Sequence, residues 1–317
     1  MPKSGIIGVD IGYSTVKAIE LGGYFGRYHL KKASETELGF NHWQRKELKK
    51  AEALGKSLRD CLEQAQPGPI KAKAVNLALP EALSISKVIH LPKMSTRELR
   101  ETIPFEASDF LPMPIDEAII DWQVANIHPQ TAKSKEADGE LTTAMEHIHV
   151  VAIYRSLAES LIDCLASQGL KLNRLETRSY AEKRALSHWL SKEQPQLILS
   201  VDHFETVISL VNLETVFYTS TIKITPKTLS TTPKAAAGII AASINETLDY
   251  VHNRLGEELH IKQILMSGLI PESSGFLLEL KRQSGLEIKS GNLLYSVIDQ
   301  HNINPRFFTA CGLAMAD

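Results

Sequence analysis

The chain has few cysteines and no excess of charge of either sign, and both absences exclude classes of protein. Its 317 residues include three cysteines, Cys61, Cys164 and Cys311, which lie far apart and form no C-x-x-C pair. This number and spacing predict neither a disulfide framework nor a cysteine zinc site, and they favour a reduced, cytosolic compartment. The 35 Lys and Arg residues stand against 37 Asp and Glu residues, so we expect no nucleic-acid partner.

Long hydrophobic runs are also absent. The longest apolar run, residues 235–244, is rich in Ala and far too short to cross a bilayer. The first residues enter a short strand without the hydrophobic region of a signal peptide. Any membrane association is therefore expected to come through a partner. The remaining composition, 43% hydrophobic and 23% charged, is that of a globular protein long enough for two domains or one bilobed domain.

The stretch from Gly5 to Leu21 reads as a strand, a tight turn and a second strand. Asp10 leaves the first strand, and four residues form the turn: Gly12, Tyr13, Ser14 and Thr15. Such a tip can present backbone N–H groups and hydroxyls to a phosphate, with Asp10 placed to hold a hydrated divalent cation. The alternative is an ordinary hairpin in which Gly12 and Ser14 merely make the turn.

The order of predicted elements is typical of an α/β fold. Three antiparallel strands precede an amphipathic helix over residues 47–64 and a short apolar strand over residues 74–79. Ser95 and Glu98 form a capping box ahead of a helix that contains Pro104, where we expect a kink or two abutting helical turns. Residues 128–143 read as a solvated loop. His147 and His149 share one face of the next strand; they are either metal ligands that lack a recognisable third partner or plain sheet histidines.

The second half of the chain repeats the opening pattern. A strand of the buried type over residues 196–201 ends in Asp202 and is followed by a hairpin. The strand that ends in Asp10 has the same arrangement, and a duplicated fold would produce this repetition. Residues 223–234, rich in Thr, Pro and Lys, predict a mobile loop. A long helix is predicted from Pro233 to Leu255, followed by a strand and a turn at Ser267 and Gly268.

Several segments together resemble one protein family. They are Gly8-Val-Asp-Ile-Gly-Tyr-Ser-Thr-Val-Lys17, Leu91-Pro-Lys-Met-Ser-Thr-Arg-Glu-Leu99, Phe105-Glu-Ala107, Phe110-Leu-Pro-Met-Pro114, Asp121-Trp-Gln-Val124, Glu176-x-x-Ser-Tyr-Ala181 and Ala310-Cys-Gly-Leu-Ala314. On these segments the chain resembles the PilM family of type IV pilus assembly proteins, relatives of the division protein FtsA in the actin-like ATPase superfamily. The resemblance covers most of the chain.

The resemblance implies a bilobed, actin-like (ribonuclease H-like) α/β fold with two mixed-sheet large subdomains flanked by helices. Its expected divisions are a first large subdomain (1–80), an inserted small subdomain (81–145), the completion of the first lobe (146–194), and a second lobe (195–317) with a reduced insertion at about 222–235. It also implies a site for ATP and Mg²⁺. The residues placed there are Asp10, Gly12, Tyr13, Ser14, Thr15, Lys17, Asp202, Ser267 and Gly268, with Asp10 holding Mg²⁺ through water.

Two loops depart from the family pattern. The second phosphate loop is Asp202-His-Phe-Glu-Thr206, without the usual glycine, so close approach of its backbone to a phosphate is hindered. Glu205 also brings negative charge toward that phosphate. The adenosine loop, Ser267-Gly-Leu-Ile-Pro271, has lost one glycine as well. We therefore predict no catalytic residue and no significant turnover, although nucleotide binding is retained as a hypothesis.

The function that the resemblance implies is a cytoplasmic scaffold of an inner-membrane pilus or secretion platform. It is expected to bind other platform components and the N-terminal cytoplasmic tail of a PilN-like membrane protein, in a groove between the first large subdomain and the inserted one. The capping-box helix and the strand that carries Trp122 are expected to build that groove, or else Phe105, Phe110 and Trp122 are simply subdomain core.

Two other functions stay open. One is an Mg-ATP-dependent ATPase or phosphotransferase that uses Asp10 and Asp202. The other is an FtsA-like filament former, which would normally carry a C-terminal amphipathic anchor that is not evident after the last helix.

Overall fold

The structure is a computed structural model that describes residues 6–24, 27–39, 42–125, 145–255, 260–270, 274–290, 298–299 and 303–316. Strands and helices alternate along most of the first half, as predicted. Its elements are β1 (Ile6–Ile11), β2 (Thr15–Tyr24), β3 (Arg27–Glu37), α1 (Ala51–Glu63), β4 (Ala74–Leu79), β5 (Ile85–Pro92), α2 (Thr96–Ser108), β6 (Ala118–Val124), β7 (Met145–Tyr154), α3 (Arg155–Ser167), β8 (Lys171–Thr177) and α4 (Arg178–Ala185).

The second half begins with a three-stranded meander and continues with helices and short strands. Its elements are β9 (Gln196–Val201), β10 (Thr206–Val211), β11 (Val216–Ile222), α5 (Pro226–Thr231), α6 (Pro233–Leu255), β12 (Gln263–Gly268), α7 (Ser274–Ser284), β13 (Glu287–Lys289), β14 (Ile298–Asp299) and α8 (Phe308–Ala314).

Three sheets organise these elements. A mixed six-stranded sheet has the order β14-β3-β2-β1-β4-β8, and a mixed five-stranded sheet has the order β11-β10-β9-β12-β13. In both, an antiparallel meander is joined by parallel strands, because β4 pairs with β1 and β12 pairs with β9 in parallel. The third sheet, β5-β7-β6, is antiparallel. The predicted bilobed α/β fold with an inserted subdomain is confirmed.

Two elements do not lie where the predicted division of the chain places them. Strand β7 pairs with β5 and β6, so the inserted sheet extends to Tyr154, beyond the predicted end at residue 145. Helix α8 packs between α4 and β1 and therefore returns to the first lobe. Its approach is close: a side chain at Gly8 would meet the carbonyl of Ala310, and one at Gly312 would meet the carbonyl of Ala181. The small residues of the last helix thus let it pack against the first lobe.

Three local predictions need correction. Residues 223–234 are not a loop: the Thr225 side chain accepts a hydrogen bond from the Thr228 N–H, and Pro226 occupies the first turn, so α5 forms there. Helix α1 begins at Ala51 rather than residue 47, because Lys50 has a left-handed backbone (φ 55°). Ser267 and Gly268 are not a turn but the end of β12.

The structure bears on two predictions about the inserted subdomain. The capping box is confirmed, since Ser95 Oγ accepts from the Glu98 N–H at 3.3 Å and the Ser95 N–H donates to Glu98 Oε2 at 2.8 Å. Helix α2 runs through Pro104 as one helix from Thr96 to Ser108. The predicted loop at 128–143 lies outside the described residues.

Candidate functional site

The ends of the two meanders face each other across the lobes and are joined by one arginine. Asp10 lies at the end of β1, Asp202 follows β9, and both carboxylates are fully buried. Arg178, the first residue of α4, donates from Nη1 to Asp202 Oδ2 at 2.5 Å, and its Nη2 lies 3.5 Å from Asp10 Oδ2. Lys17 Nζ lies 3.6 Å from the same Asp10 oxygen. We call Asp10, Lys17, Arg178 and Asp202 the ion-pair cluster.

The cluster is neutral overall because two cations face two carboxylates. For Asp202, burial raises the pKa, but the Arg178 guanidinium outweighs it and holds the pKa at about 2. For Arg178, burial disfavours the charged form, yet Asp10 and Asp202 hold its pKa well above the ordinary value. Removing either partner would leave an unpaired charge in a buried place, which is among the costliest changes a protein can undergo.

The turns beside the cluster contact each other. The Tyr13 ring lies edge-on to the Phe204 ring, with centroids 5.6 Å apart. A side chain at Gly12 would come within 3.2 Å of Asp202 Oδ2, so the first turn approaches the second carboxylate closely. Burial, with Glu205 and Asp202 nearby, raises the pKa of Tyr13 to about 12. Burial likewise raises the pKa of Glu205 to about 7.

Several groups of the first turn that were predicted to hold phosphate form hydrogen bonds with other groups of the protein. Thr15 Oγ1 accepts a hydrogen bond from Lys17 Nζ at 2.9 Å. The Gly12 N–H donates to the Thr15 carbonyl at 2.9 Å, and the Gly12 carbonyl accepts from Trp43 Nε1. Ser14 Oγ is buried and makes no hydrogen bond within the described part of the chain. The turn is therefore well ordered by contacts of its own.

The two residues predicted to contact adenosine have structural roles. Ser267 Oγ donates to Glu182 Oε1 at 3.0 Å, an oxygen that also accepts from the Ser200 and Thr309 hydroxyls. Gly268 has φ +83°, and a side chain there would collide with the Val201 carbonyl. The glycine is thus required by strand packing between β12 and β9.

Most predicted site residues come together, but the group that joins them was missed. Asp10, Lys17 and Asp202 meet in the ion-pair cluster, whereas Ser267 and Gly268 contact other groups. Arg178 was not predicted. One signal could have found it: a cation in the first turn of a helix opposes the helix dipole and is therefore expected to have acidic partners.

A Mg²⁺-bound nucleotide does not fit the cleft as these residues arrange it. Arg178 already occupies the space between the two carboxylates that would face the metal and phosphates. Glu205, only 5% exposed, adds a further acidic group beside them. The Tyr13 and Phe204 rings also contact each other beside this space.

A second candidate site is a groove of about 670 Å³ between the inserted sheet and the first lobe. Among the described strands, β6 is an outer strand of the inserted sheet and β8 an outer strand of the six-stranded sheet, and both line it. Most of its lining is apolar, and two isoleucines at the rim are partly exposed, Ile119 by 38% and Ile162 by 47%. We call this cavity the edge-strand groove.

Several polar and charged groups of the edge-strand groove are paired within the protein. Arg184 donates to both carboxylate oxygens of Glu176, at 2.6 and 2.8 Å. Lys183 Nζ donates to the Glu214 carbonyl at 2.7 Å, and burial lowers its pKa to about 8. His149 Nδ1 lies 2.8 Å from the Tyr180 hydroxyl, and burial lowers the His149 pKa to about 4. The groove therefore presents mainly apolar surface and two strand edges.

One of the two elements predicted to build a groove between these subdomains lines the edge-strand groove. Trp122 of β6 lines the groove, but no α2 residue does; Leu99 and Ile103 of α2 are buried in the core of the inserted subdomain. Phe105 is 73% exposed and is not core. The part of the chain that the structure describes has no group of three His, Cys, Asp or Glu residues suited to a metal, so the metal reading of His147 and His149 gains no third ligand.

Within the described residues, the structure contains no helix long and apolar enough to cross a membrane.

The fold is that of solved actin-like proteins. The chain is similar to the structure described as the PilM-PilN type IV pilus biogenesis complex, with 19% identity over 99% of this chain and 98% of that one (TM-score 0.78). It is also similar to the cytoplasmic domain of EpsL, an inner-membrane component of the Vibrio cholerae type II secretion system, with 14% identity over 93% of both chains (TM-score 0.50). A third likeness is to the ethanolamine utilization protein EutJ of Carboxydothermus hydrogenoformans, with 12% identity over 99% of this chain and 90% of that one (TM-score 0.50).

A match at the level of sequence identifies the family within this fold. A family model described as Type IV pilus assembly protein PilM matches residues 8–224, more than half of the chain. The chain therefore belongs to the PilM family of type IV pilus assembly proteins, as the opening hairpin and the inserted segments predicted.

Proposed function

We propose that this chain is a cytoplasmic scaffold of a type IV pilus or related secretion platform. Its groove would bind the N-terminal cytoplasmic tail of a PilN-like inner-membrane protein. The observation that carries the proposal is the edge-strand groove, with its two strand edges and apolar walls. Family membership supports the pilus setting, and the likeness to a PilM-PilN complex supports a partner of that kind. The protein would then reach the inner membrane only through its partner.

The chemistry of the groove favours an extended, largely apolar tail. An outer strand offers unpaired N–H and C=O groups to an added strand, and the added side chains then alternate between the two faces. Because the groove's Arg184 and Lys183 are already paired, a tail that relies on its own charges would gain little there. Main-chain hydrogen bonds together with Ile119 and Ile162 would provide the affinity.

A direct test is to titrate the purified chain with the labelled synthetic tail of the PilN-like protein and follow fluorescence anisotropy. The variant Ile162→Glu places a charge on the groove rim and should weaken binding at least about tenfold, since burying an unpaired charge costs more than about 1.4 kcal/mol. The matched control is Leu278→Glu, which changes a comparably exposed residue (65%) in the second lobe. Equal affinity of the two variants, or no saturable binding by wild type, would refute the proposal.

Modulation by ATP is a finer hypothesis, and the proposal does not require it. Docking would proceed without nucleotide, because Arg178 already pairs with both carboxylates that were predicted to face it. Repeating the peptide titration with and without millimolar MgATP should give the same affinity. An affinity that depends on MgATP would restore the nucleotide-modulated scaffold. The ATPase or phosphotransferase and the FtsA-like filament former are the two other hypotheses, and none of the described contacts favours either of them.

A further inference from the structure

The ion-pair cluster links the two lobes through a single side chain. Asp10 belongs to the six-stranded sheet of the first lobe, whereas Asp202 follows the first strand of the second-lobe sheet. Arg178 contacts both, through different guanidinium nitrogens. The planar guanidinium presents several N–H donors in a fixed fork, which lets one residue bind two carboxylates at once.

Charge balance argues against adding a metal and phosphates to this arrangement. The charges of Lys17 and Arg178 balance those of Asp10 and Asp202, and all four side chains are at most 4% exposed. Only Asp202 accepts a hydrogen bond from Arg178; the two Asp10 oxygens accept none within the described residues. A nucleotide with Mg²⁺ carries a net negative charge into a place where water cannot screen it. It would also have to break the contacts of Arg178 with Asp10 and Asp202.

Steric contacts oppose the same exchange. The Tyr13 and Phe204 rings contact each other between the two turns, and a side chain at Gly12 would come within 3.2 Å of Asp202 Oδ2. Opening this space requires the lobes to separate, which breaks the contact of Arg178 with one of the two carboxylates.

We propose that Arg178 has permanently replaced the metal-bound nucleotide as the link between the lobes, so that this chain stays closed without a ligand and does not bind MgATP. The proposal is independent of the edge-strand groove and stands or falls separately from it. The proposal makes two demands: MgATP must not change the stability of wild type, and the closed arrangement of the lobes must depend on Arg178.

The first demand is tested by thermal melting of wild type with millimolar MgATP, with Mg²⁺ alone and without either. A ligand that binds only the native state raises stability as its concentration exceeds Kd, and Tm rises with it. We expect identical Tm values under the three conditions and no binding heat in calorimetry. A saturable rise of Tm with MgATP would overturn the proposal.

The second demand is tested with Arg178→Ala. Its Tm should fall, and amide exchange in the turns at residues 10–15 and 202–206 should become roughly a hundredfold faster. This factor corresponds to the low end of the free energy that is lost when a buried ion pair is broken. Millimolar Mg²⁺ should partly restore both, because two facing carboxylates without a cation form a site for a hard divalent ion. A wild-type Tm for this variant would overturn the proposal.

The matched control is Arg184→Ala on the same helix. It removes the partner of a single carboxylate, Glu176, and leaves the ion-pair cluster intact. Its Tm can fall, but it should show no recovery with Mg²⁺ and no faster exchange in the 202–206 turn. The same Mg²⁺ recovery in both variants would overturn the assignment to Arg178.

Should Arg178→Ala fail to fold, Arg178→Lys replaces it in every measurement. An ammonium keeps the charge but cannot span both carboxylates as the fork does. We expect a folded protein with a lower Tm than wild type, faster exchange in one of the two turns and continued indifference to MgATP. A Tm equal to that of wild type would show that bridging is not what holds the lobes, and the proposal would be wrong.

Discussion

Substituting Glu205 by glutamine should stabilise the protein at neutral and alkaline pH. Glu205 is 5% exposed in the second turn, and its Oε1 makes no hydrogen bond within the described residues. Burial raises its pKa to about 7; Arg178 lowers the pKa and the Asp202 carboxylate raises it further. The ionised form of Glu205 therefore destabilises the folded protein. The glutamine amide removes the charge and has nearly the same shape as the carboxyl group.

The magnitude follows from the two pKa values. Between the ordinary Glu value of 4.5 and about 7, the folded protein holds a proton that the unfolded chain has lost, so stability falls as pH rises through this range. A difference of about 2.5 pKa units corresponds to about 3 kcal/mol at about 1.4 kcal/mol per unit. Glu205→Gln should therefore match wild type near pH 4 and exceed its stability by up to about 3 kcal/mol near pH 8.

Urea unfolding at a series of pH values between these limits measures the difference. Taking the variant minus wild type cancels the opposite contribution of His149, whose pKa is lowered to about 4 by burial and whose stabilising effect is lost as pH falls from 6.5. The control is Glu101→Gln, the same exchange on a 73% exposed side chain. The reasoning is refuted if Glu205→Gln is no more stable than wild type at the alkaline end.

Two further predictions concern local structure. Ser95→Ala removes the side-chain acceptor of the capping box and should lower the free energy of unfolding by about 1 kcal/mol, measured by chemical denaturation; no change would mean that the Glu98 contact carries the cap alone. Gly268→Ala places a side chain at φ +83° against the Val201 carbonyl and should lower Tm far more than the same change at Gly169, which also has positive φ but has open space around it. Equal losses at the two glycines would show that backbone conformation alone, and not the close approach of β9, sets the cost.

Patterns that depend on neighbouring residues were predictable from sequence. The opening hairpin, the capping box at Ser95 and the repetition at Asp202 each use residues close in the chain, and the structure confirms where they lie. The loop prediction at 223–234 failed because Thr and Pro suit a helix start as well as a loop. Thr225 caps the first turn and Pro226 fits its fixed φ, so the same composition forms α5.

The family, the bilobed fold and the places of Asp10 and Asp202 were determined by the sequence itself, because strand alternation, turn residues and family segments are properties of short stretches. Only the tertiary structure decided what those carboxylates contact. Arg178 comes from the start of a helix far along the chain, and the path of the chain brings it between the two turns. An ion pair depends on distance and burial, which no local pattern contains. The stretch that reads as half of a phosphate site is therefore, in the folded protein, half of a contact between lobes.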